Sequence, residues 1–213
     1  MHFLSEALEK YISDHSQSEP PLLAALTRET HLKVLRPRMI TGHHQGRALS
    51  LLSKILAPKH ILEIGTYTGY SALCLAEGLL PGGSLQTIDI NEELYDLQRR
   101  YFDQSGYGPQ IVQHLGDALE VITTLDFSFD LVFIDAEKTA YDAYFEAVLP
   151  KCNAGSVILS DNVLWSGKVV EPLAQKDQAT EALLAYNQKL ATDPRVESVL
   201  LPLRDGLTLS RVL

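Results

Sequence analysis

From His60 onward the chain alternates short apolar runs with longer amphipathic stretches, and this alternation confines it to a layered α/β fold. The runs are Ile61-Leu62-Glu63-Ile64, Leu85-Gln86-Thr87-Ile88, Ile111-Val112, Leu131-Val132-Phe133-Ile134 and Val157-Ile158-Leu159. Helix-like stretches fall around 70–79, 91–104, 117–124 and 139–149. Strands joined by crossover helices lie parallel, with helices on both faces of the sheet. Two late runs, Val196 to Leu201 and Leu207 to Val212, are separated only by Pro202-Leu203-Arg204-Asp205-Gly206. That link is too short for a crossover, so these strands must pair antiparallel. The expectation is a mostly parallel seven-stranded sheet with a terminal antiparallel hairpin.

Ahead of this core, Phe3, Leu4, Ala7, Leu8, Tyr11 and Ile12 recur at helical spacing. A second helix starts near Pro20-Pro21, a favourable first-turn position for proline, and carries Leu22, Leu23 and Leu26. A third covers Gln45 to Leu56 and stops before Pro58. With 213 residues and no repeats, a single domain over 1–213 is expected.

The charge balance of 18 basic against 27 acidic residues, net −9, argues against broad nucleic-acid binding, which needs clustered Lys and Arg. A local basic patch stays open. Cys74 and Cys152 sit in apolar segments and read as small core residues in a reducing compartment. The first residues lack a basic segment followed by an apolar run, and no apolar stretch approaches the ~20 residues of a membrane span. A soluble, cytoplasmic protein without membrane contact is expected.

The segment Glu63-Ile64-Gly65-Thr66-Tyr67-Thr68-Gly69-Tyr70-Ser71 runs from a strand through two glycines into a helix. Ligands bind outside the carboxyl ends of such strands, where the strand order reverses. Gly65 would let the backbone approach a ligand, and Gly69 would admit tight helix–strand packing. A pyrophosphate loop would read G-x-G-x-x-G, and Glu63 would face phosphates unfavourably. A ligand without phosphate and with a positive amino group suits the loop better. Asp89 ends the next strand, 24 residues after Gly65, where an acid accepts hydrogen bonds from ribose hydroxyls. The alternative is a tight strand–helix turn with incidental acids; two acids at consecutive strand ends favour a site.

The fourth strand ends in Ile134-Asp135 and the fifth in Ser160-Asp161-Asn162. In a parallel sheet these ends share one edge, so two carboxylates and an amide oxygen can converge. Oxygen donors without His or Cys select Mg²⁺, Mn²⁺ or Ca²⁺. Taken alone, such acids more often cap the next helix, and Asn162 also suits a turn. Lys138, three residues after Asp135, places an amine where a general base is useful. These parts suit methyl transfer from a sulfonium: the methyl is already activated, so the site must supply an oxygen nucleophile held in line.

A parallel sheet closed by an antiparallel hairpin is the outline of the Rossmann-like S-adenosylmethionine (AdoMet) methyltransferase fold. The residues resemble the cation-dependent O-methyltransferases of catechol and caffeoyl-CoA, from about Met39 to Leu213. Residues 63–71 are similar to the family's E-x-G-x-Y-x-G-Y-S motif. Asp135-Ala136-Glu137-Lys138 with Tyr141 and Tyr144 resembles its D-A-x-K-x-x-Y-x-x-Y segment. Asp161-Asn162-Val163-Leu164-Trp165-Ser166-Gly167 resembles the D-N-x-L-W-x-G stretch of the caffeoyl-CoA branch, whose ending is continued by Asp193-Pro194-Arg195 and by Asp205-Gly206 with Thr208.

The resemblance implies that Asp135, Asp161 and Asn162 bind the cation, with Lys138 as base beside Asp135. It implies AdoMet contacts from Thr41, Glu63, Gly65, Tyr67, Ser71, Asp89, Ala118 and Asp135. Met39, Trp165 and Asp205 would line the acceptor side, although Trp165 could instead serve only as a packed aromatic. Residues 1–56 would supply lid and dimer contacts to a cofactor-binding core at 57–213, since the first two helices carry more apolar surface than one sheet face needs and family members commonly pair.

Three departures stand out. Thr208 occupies the place of a substrate-orienting glutamate in the catechol enzymes. Arg204 replaces the glycine that precedes Asp205 in the plant enzymes. His43-His44 replaces a usually acidic segment and reads as an exposed loop pair. The acceptor that the resemblance and a cation chelated by two neighbouring hydroxyls imply is a small vicinal diol of catechol or hydroxycinnamoyl type. A tRNA hydroxyuridine, the acceptor of bacterial relatives, stays open as the second reading. A dinucleotide oxidoreductase would need the missing third glycine, and a non-catalytic AdoMet-binding module would have no use for Lys138 or the oxygen triad.

Overall fold

The computed structural model describes residues 5–213; Phe3 and Leu4, the first helical residues read from the sequence, lie outside them. Helix α1 (Glu6–Asp14) is capped by the Ser5 hydroxyl, which accepts from the Leu8 N–H at 3.4 Å. It buries none of its residues within the chain. Helix α2 (Pro21–Lys33) opens on proline and buries Leu23 and Leu26; α3 spans His43–Leu56. The core then runs β1 (His60–Ile64), α4 (Tyr70–Ala76), β2 (Ser84–Asp89), α5 (Tyr95–Gln104), β3 (Ile111–Leu115), α6 (Ala118–Thr124), β4 (Phe129–Ile134), α7 (Tyr141–Val148), β5 (Cys152–Asp161), α8 (Gln178–Thr192), β6 (Val196–Leu201) and β7 (Leu207–Val212).

The seven strands form one sheet in the order β3-β2-β1-β4-β5-β7-β6. Six run in one direction; β7 lies antiparallel between β5 and β6, with Leu201 opposite Leu207 at the hairpin end. The order reverses at β1, which pairs with β2 on one side and β4 on the other, and this places a crevice at its carboxyl end.

Side chains alternate across the sheet with a period of two. Ile61, Leu131, Phe133, Val157 and Leu159 pack against α2 to α5. Leu62, Ile64, Val132, Ile134 and Ile158 pack against α6, α7 and α8. Covered on both faces, the inner strands have no polar side, which is why they read as near-continuous apolar runs.

Helix α8 was not read from the sequence. Asp177 caps it, accepting from the Thr180 N–H at 3.1 Å, and Leu183, Tyr186 and Leu190 bury against the sheet. Its remaining apolar residues ring the helix instead of forming one stripe, so the 3.6 period is weak. Strand β5 also starts earlier than read, at Cys152, with an irregular register between Phe129 and Leu131. Cys74 is buried, Cys152 half-buried, and both are free thiols. Among the described residues no helix is long and apolar enough to cross a membrane.

Candidate active site at the carboxyl edge of the sheet

The loop after β1 is shaped by its neighbours. Gly65 has φ +98°, and a Cβ there would lie 2.0 Å from the Asp135 carbonyl oxygen. Glycine is therefore demanded by the adjoining strand end as well as suited to a ligand. Gly69, at φ +87°, caps α4, and a Cβ would meet the Phe102 ring of α5 at 2.5 Å. Its tight packing is against α5, a correction to the expected helix–strand contact.

Asp89 holds this loop. Its Oδ2 accepts from the Thr66 and Tyr67 N–H groups at 3.1 and 2.7 Å, and Oδ1 accepts from Asn91 at 2.9 Å. Tyr67, at φ +48°, donates its hydroxyl to the Leu35 and Arg36 carbonyls, tying the loop to the segment after α2. Ser71 lies buried in the first turn of α4. Ala118 opens α6 next to Asp117, whose side chain caps that helix, while Gly116 donates to the Asp89 carbonyl at 3.0 Å. Glu63, Gly65, Tyr67, Ser71, Asp89 and Ala118 thus gather on the β1–β2–β3 side of the crevice.

Glu63 is fully buried, with Oε2 accepting from the Thr87 hydroxyl at 2.5 Å and Oε1 left without a partner. Burial pushes its carboxyl from the ordinary 4.5 up to about 8; the Ser71 and Thr87 hydroxyls oppose the shift, and the charges of Asp135 and Asp89 add to it. Between about 4.5 and 8 the folded chain keeps a proton that the unfolded chain has released, so this group lowers stability as pH rises through that window. Glu63→Gln removes the titration. The melting temperature of the wild type relative to Glu63→Gln is expected to fall from pH 5 to pH 8 by on the order of 10 °C, since each pKa unit is worth about 1.4 kcal/mol and a chain this long shifts about 2–4 °C per kcal/mol. A pH-independent difference would contradict the assignment.

On the β4–β5 side, Lys138 gathers the oxygen donors. Its Nζ donates to Asp135 Oδ1 at 3.0 Å, to Asn162 Oδ1 at 3.1 Å and to the Tyr141 hydroxyl at 2.5 Å. Tyr141 in turn donates to the Asp161 carbonyl at 2.8 Å. Asp161 is 2% exposed; its Oδ1 accepts from the Asn162 N–H at 2.8 Å and its Oδ2 from Gln45 Nε2 at 2.6 Å. Burial, then the nearby Asp135 charge, pushes the Asp161 carboxyl well above the ordinary carboxylate range, with Lys138 opposing. Neither acid caps a helix. The Asp135 carboxylate and the Asn162 amide oxygen on one cationic nitrogen, with the buried Asp161 carboxylate on the neighbouring strand end, form an oxygen set that fits a hard divalent cation. Among the described residues no group of three His, Cys, Asp or Glu converges, so the amide of Asn162 is part of any such set.

Asn162, Trp165 and Ser166 all have positive φ (58°, 48° and 56°), at a cost of about 1–2 kcal/mol each. The β6–β7 turn holds this loop: Leu164 N–H donates to the Asp205 carbonyl at 2.9 Å and Ser166 N–H to Asp205 Oδ1 at 2.6 Å. Asp205 therefore braces the 162–167 loop. Trp165 packs on the α6–α8 side of the core with its ring 6.0 Å from Lys138 Nζ, so it is both packed and at the site. Met39 is half-exposed beside buried Thr41. Thr208 points away, lining a small cavity with Asn187 and Ser198 under α8.

His43 and His44 are not a loop pair, as the sequence suggested, but the first residues of α3. The His43 ring bonds the Gln17 carbonyl at 2.6 Å and ties α3 to the end of α1. Gln45 escaped sequence reading as a polar group of the site, and Arg204 stood out there only as a departure from the family pattern, without a role. Nothing in local sequence shows that a glutamine in the first turn of one helix reaches a strand end more than a hundred residues on.

The family model described as O-methyltransferase matches residues 13–213. A caffeoyl-CoA O-methyltransferase of Petroselinum crispum is 34% identical, the alignment covering 97% of this chain and 91% of that protein. Caffeoyl-CoA O-methyltransferase 2 of Zea mays is 38% identical over 97% and 83%. Among solved structures, the O-methyltransferase from Bacillus cereus in complex with SAH superposes with a TM-score of 0.90 at 30% identity, covering 97% of both chains. The O-methyltransferase TomG from Streptomyces achromogenes in complex with SAM gives 0.88 at 30%, covering 98% and 99%. Since the match runs through both strand-end clusters and nearly the whole chain, the protein belongs to the O-methyltransferase family.

Proposed function

We propose that this chain is a divalent-cation-dependent enzyme that moves the methyl of AdoMet onto one hydroxyl of a small vicinal diol, of catechol or hydroxycinnamoyl type. The observation that carries the reading is the convergence of Asp135 Oδ1 and Asn162 Oδ1 within 3.0 and 3.1 Å of Lys138 Nζ, beside buried Asp161. Asp135, Asp161 and Asn162 would hold Mg²⁺ or Mn²⁺, which would supply the Lewis acidity that makes a neighbouring substrate hydroxyl more acidic.

The β1 side fits AdoMet. The unpartnered Oε1 of Glu63 suits a positively charged amino group, whose approach restores the ionised carboxylate. Asp89 keeps acceptor capacity on Oδ1 for ribose hydroxyls. Relatives of the same fold solved with SAH and with SAM support the assignment.

Lys138, which donates to Asp135, Asn162 and Tyr141 as an ammonium, would take the proton of the attacking hydroxyl as the neutral amine that a divalent cation held by Asp135 and Asn162 would favour. Asp205 braces the loop that presents Asn162 and Trp165, and Trp165 and Met39 flank the acceptor.

The test is a methylation screen with radiolabelled AdoMet across catechols, hydroxycinnamoyl thioesters, the matching mono-hydroxyl compounds and bulk tRNA, with and without Mg²⁺. A diol should be labelled only with Mg²⁺, and the mono-ol should not be labelled, because it cannot chelate. Equal labelling of the mono-ol would overturn the diol reading. Label in tRNA alone would favour the hydroxyuridine acceptor, against which the net charge of −9 weighs.

A further inference from the structure

Gln45 and Arg204 take no part in the chemistry above, yet Gln45 holds the buried carboxylate of Asp161 with one end of its amide and meets Arg204 with the other. Gln45 is 1% exposed and donates through Nε2 to Asp161 Oδ2 at 2.6 Å. Arg204 Nη1 donates to Gln45 Oε1 at 3.5 Å, to the Ile40 carbonyl at 2.8 Å and to the Thr41 carbonyl; its Nη2 donates to the Arg38 carbonyl at 3.2 Å. A carboxylate only accepts and a guanidinium only donates, so a side chain joining them must do both. The amide does so, and the demand fixes which end of it faces which partner.

Arg204 sits at φ +53°, a conformation that costs a non-glycine residue about 1–2 kcal/mol. The three backbone carbonyls of 38–41 reward the guanidinium for being there. Asp161 has one donor on each oxygen, Asn162 N–H on Oδ1 and Gln45 on Oδ2. Each oxygen keeps a lone pair, and the two donors set the plane in which those lone pairs lie. Without the Gln45 amide, Oδ2 has no partner among the described residues and the carboxylate can turn.

Resting on the cation site proposed above, we infer that Gln45 is a positioning residue for Asp161 and that Arg204 links it to the acceptor-side segment 38–41, so that this relay sets the affinity for the divalent cation. Partners of metal ligands, acting from one bond further out, are worth 10- to 100-fold in metal affinity.

The experiment is a Mn²⁺ titration of the full chain, followed by the electron paramagnetic resonance signal of free Mn²⁺. It compares wild type, Gln45→Met, Arg204→Gly and the double variant, with affinity for the demethylated cofactor measured alongside by calorimetry. Gln45→Met should weaken Mn²⁺ about 10-fold or more and leave cofactor affinity unchanged. Arg204→Gly should weaken Mn²⁺ roughly threefold in the wild-type background and add nothing once Gln45 is gone, the signature of coupled residues. Gln45→Asn, whose amide is one methylene too short to reach, gives the same reading if Gln45→Met fails to fold. Wild-type Mn²⁺ affinity in a folded Gln45 variant overturns the relay, and equal losses from Arg204→Gly in both backgrounds overturn the role of Arg204. A wild type that binds no Mn²⁺ overturns the cation site itself, and the relay with it.

Discussion

Treatment with EDTA is expected to abolish methyl transfer, and Mg²⁺ or Mn²⁺ to restore it. Asp161→Ala should lower kcat by at least about 10²-fold even with saturating metal, because loss of one ligand removes both the orientation of the acceptor and the fall in its pKa. The cofactor side should feel little of this. Glu63, Asp89 and Ser71 stand around β1 and β2, and Asp161 closes β5 on the other side of the crevice. Calorimetry should therefore show near-normal AdoMet affinity in Asp161→Ala. Lys138→Met separates base from ligand: it should still bind Mn²⁺ while losing roughly 10²- to 10⁴-fold in rate, the range for a general base. Full turnover in EDTA would leave a methyltransferase that works without chelation, and the oxygen cluster would then be structural.

Gly65→Ala should be the most damaging single methyl in the chain. The added carbon would lie 2.0 Å from the Asp135 carbonyl oxygen, and the nearest atoms it meets are all backbone of Asp135 or Ala136, so no side chain can turn aside to make room. Gly65 N–H also donates to the Ile88 carbonyl and Asp135 N–H to that of Ile64, both at 2.9 Å, so moving the loop breaks the β1 pairing on either side. Positive φ alone costs about 1–3 kcal/mol, and the clash adds to it. A loss of about 3 kcal/mol or more is expected, a fall in melting temperature of roughly 6–12 °C or more for a domain of this size. A variant with wild-type melting behaviour would show that the β1 and β4 ends are not so tightly apposed. Gly82, at a similar positive φ with no atom within 4 Å of its would-be Cβ, is the control: its alanine variant carries the backbone strain without the clash.

Much of the molecule was legible because its signals are local. Each inner strand is covered on both faces, so it shows as an apolar run, and five residues between the last two strands leave only a hairpin. The acids at the strand ends followed from the same logic, since parallel strands deliver their carboxyl ends to one edge whatever the loops do. Helix α8 was missed because its apolar residues ring the axis and the burial that selects one face comes from the sheet.

Sequence by itself determined the fold class, the crevice and the residue types that reach it: Glu63, Asp89, Asp135, Lys138, Asp161 and Asn162. Only the tertiary structure decided what those residues do to one another. Asp89 became a clamp on the cofactor loop, Gly65 a contact with the next strand, Asp205 a brace for the 162–167 loop, and Gln45 with Arg204 a bridge between the N-terminal helices and Asp161. The reason is range. Periodicity and capping act over a few residues, whereas hydrogen bonds between loops join positions as far apart as 40 and 204, and their geometry exists only after the sheet has fixed where each loop begins.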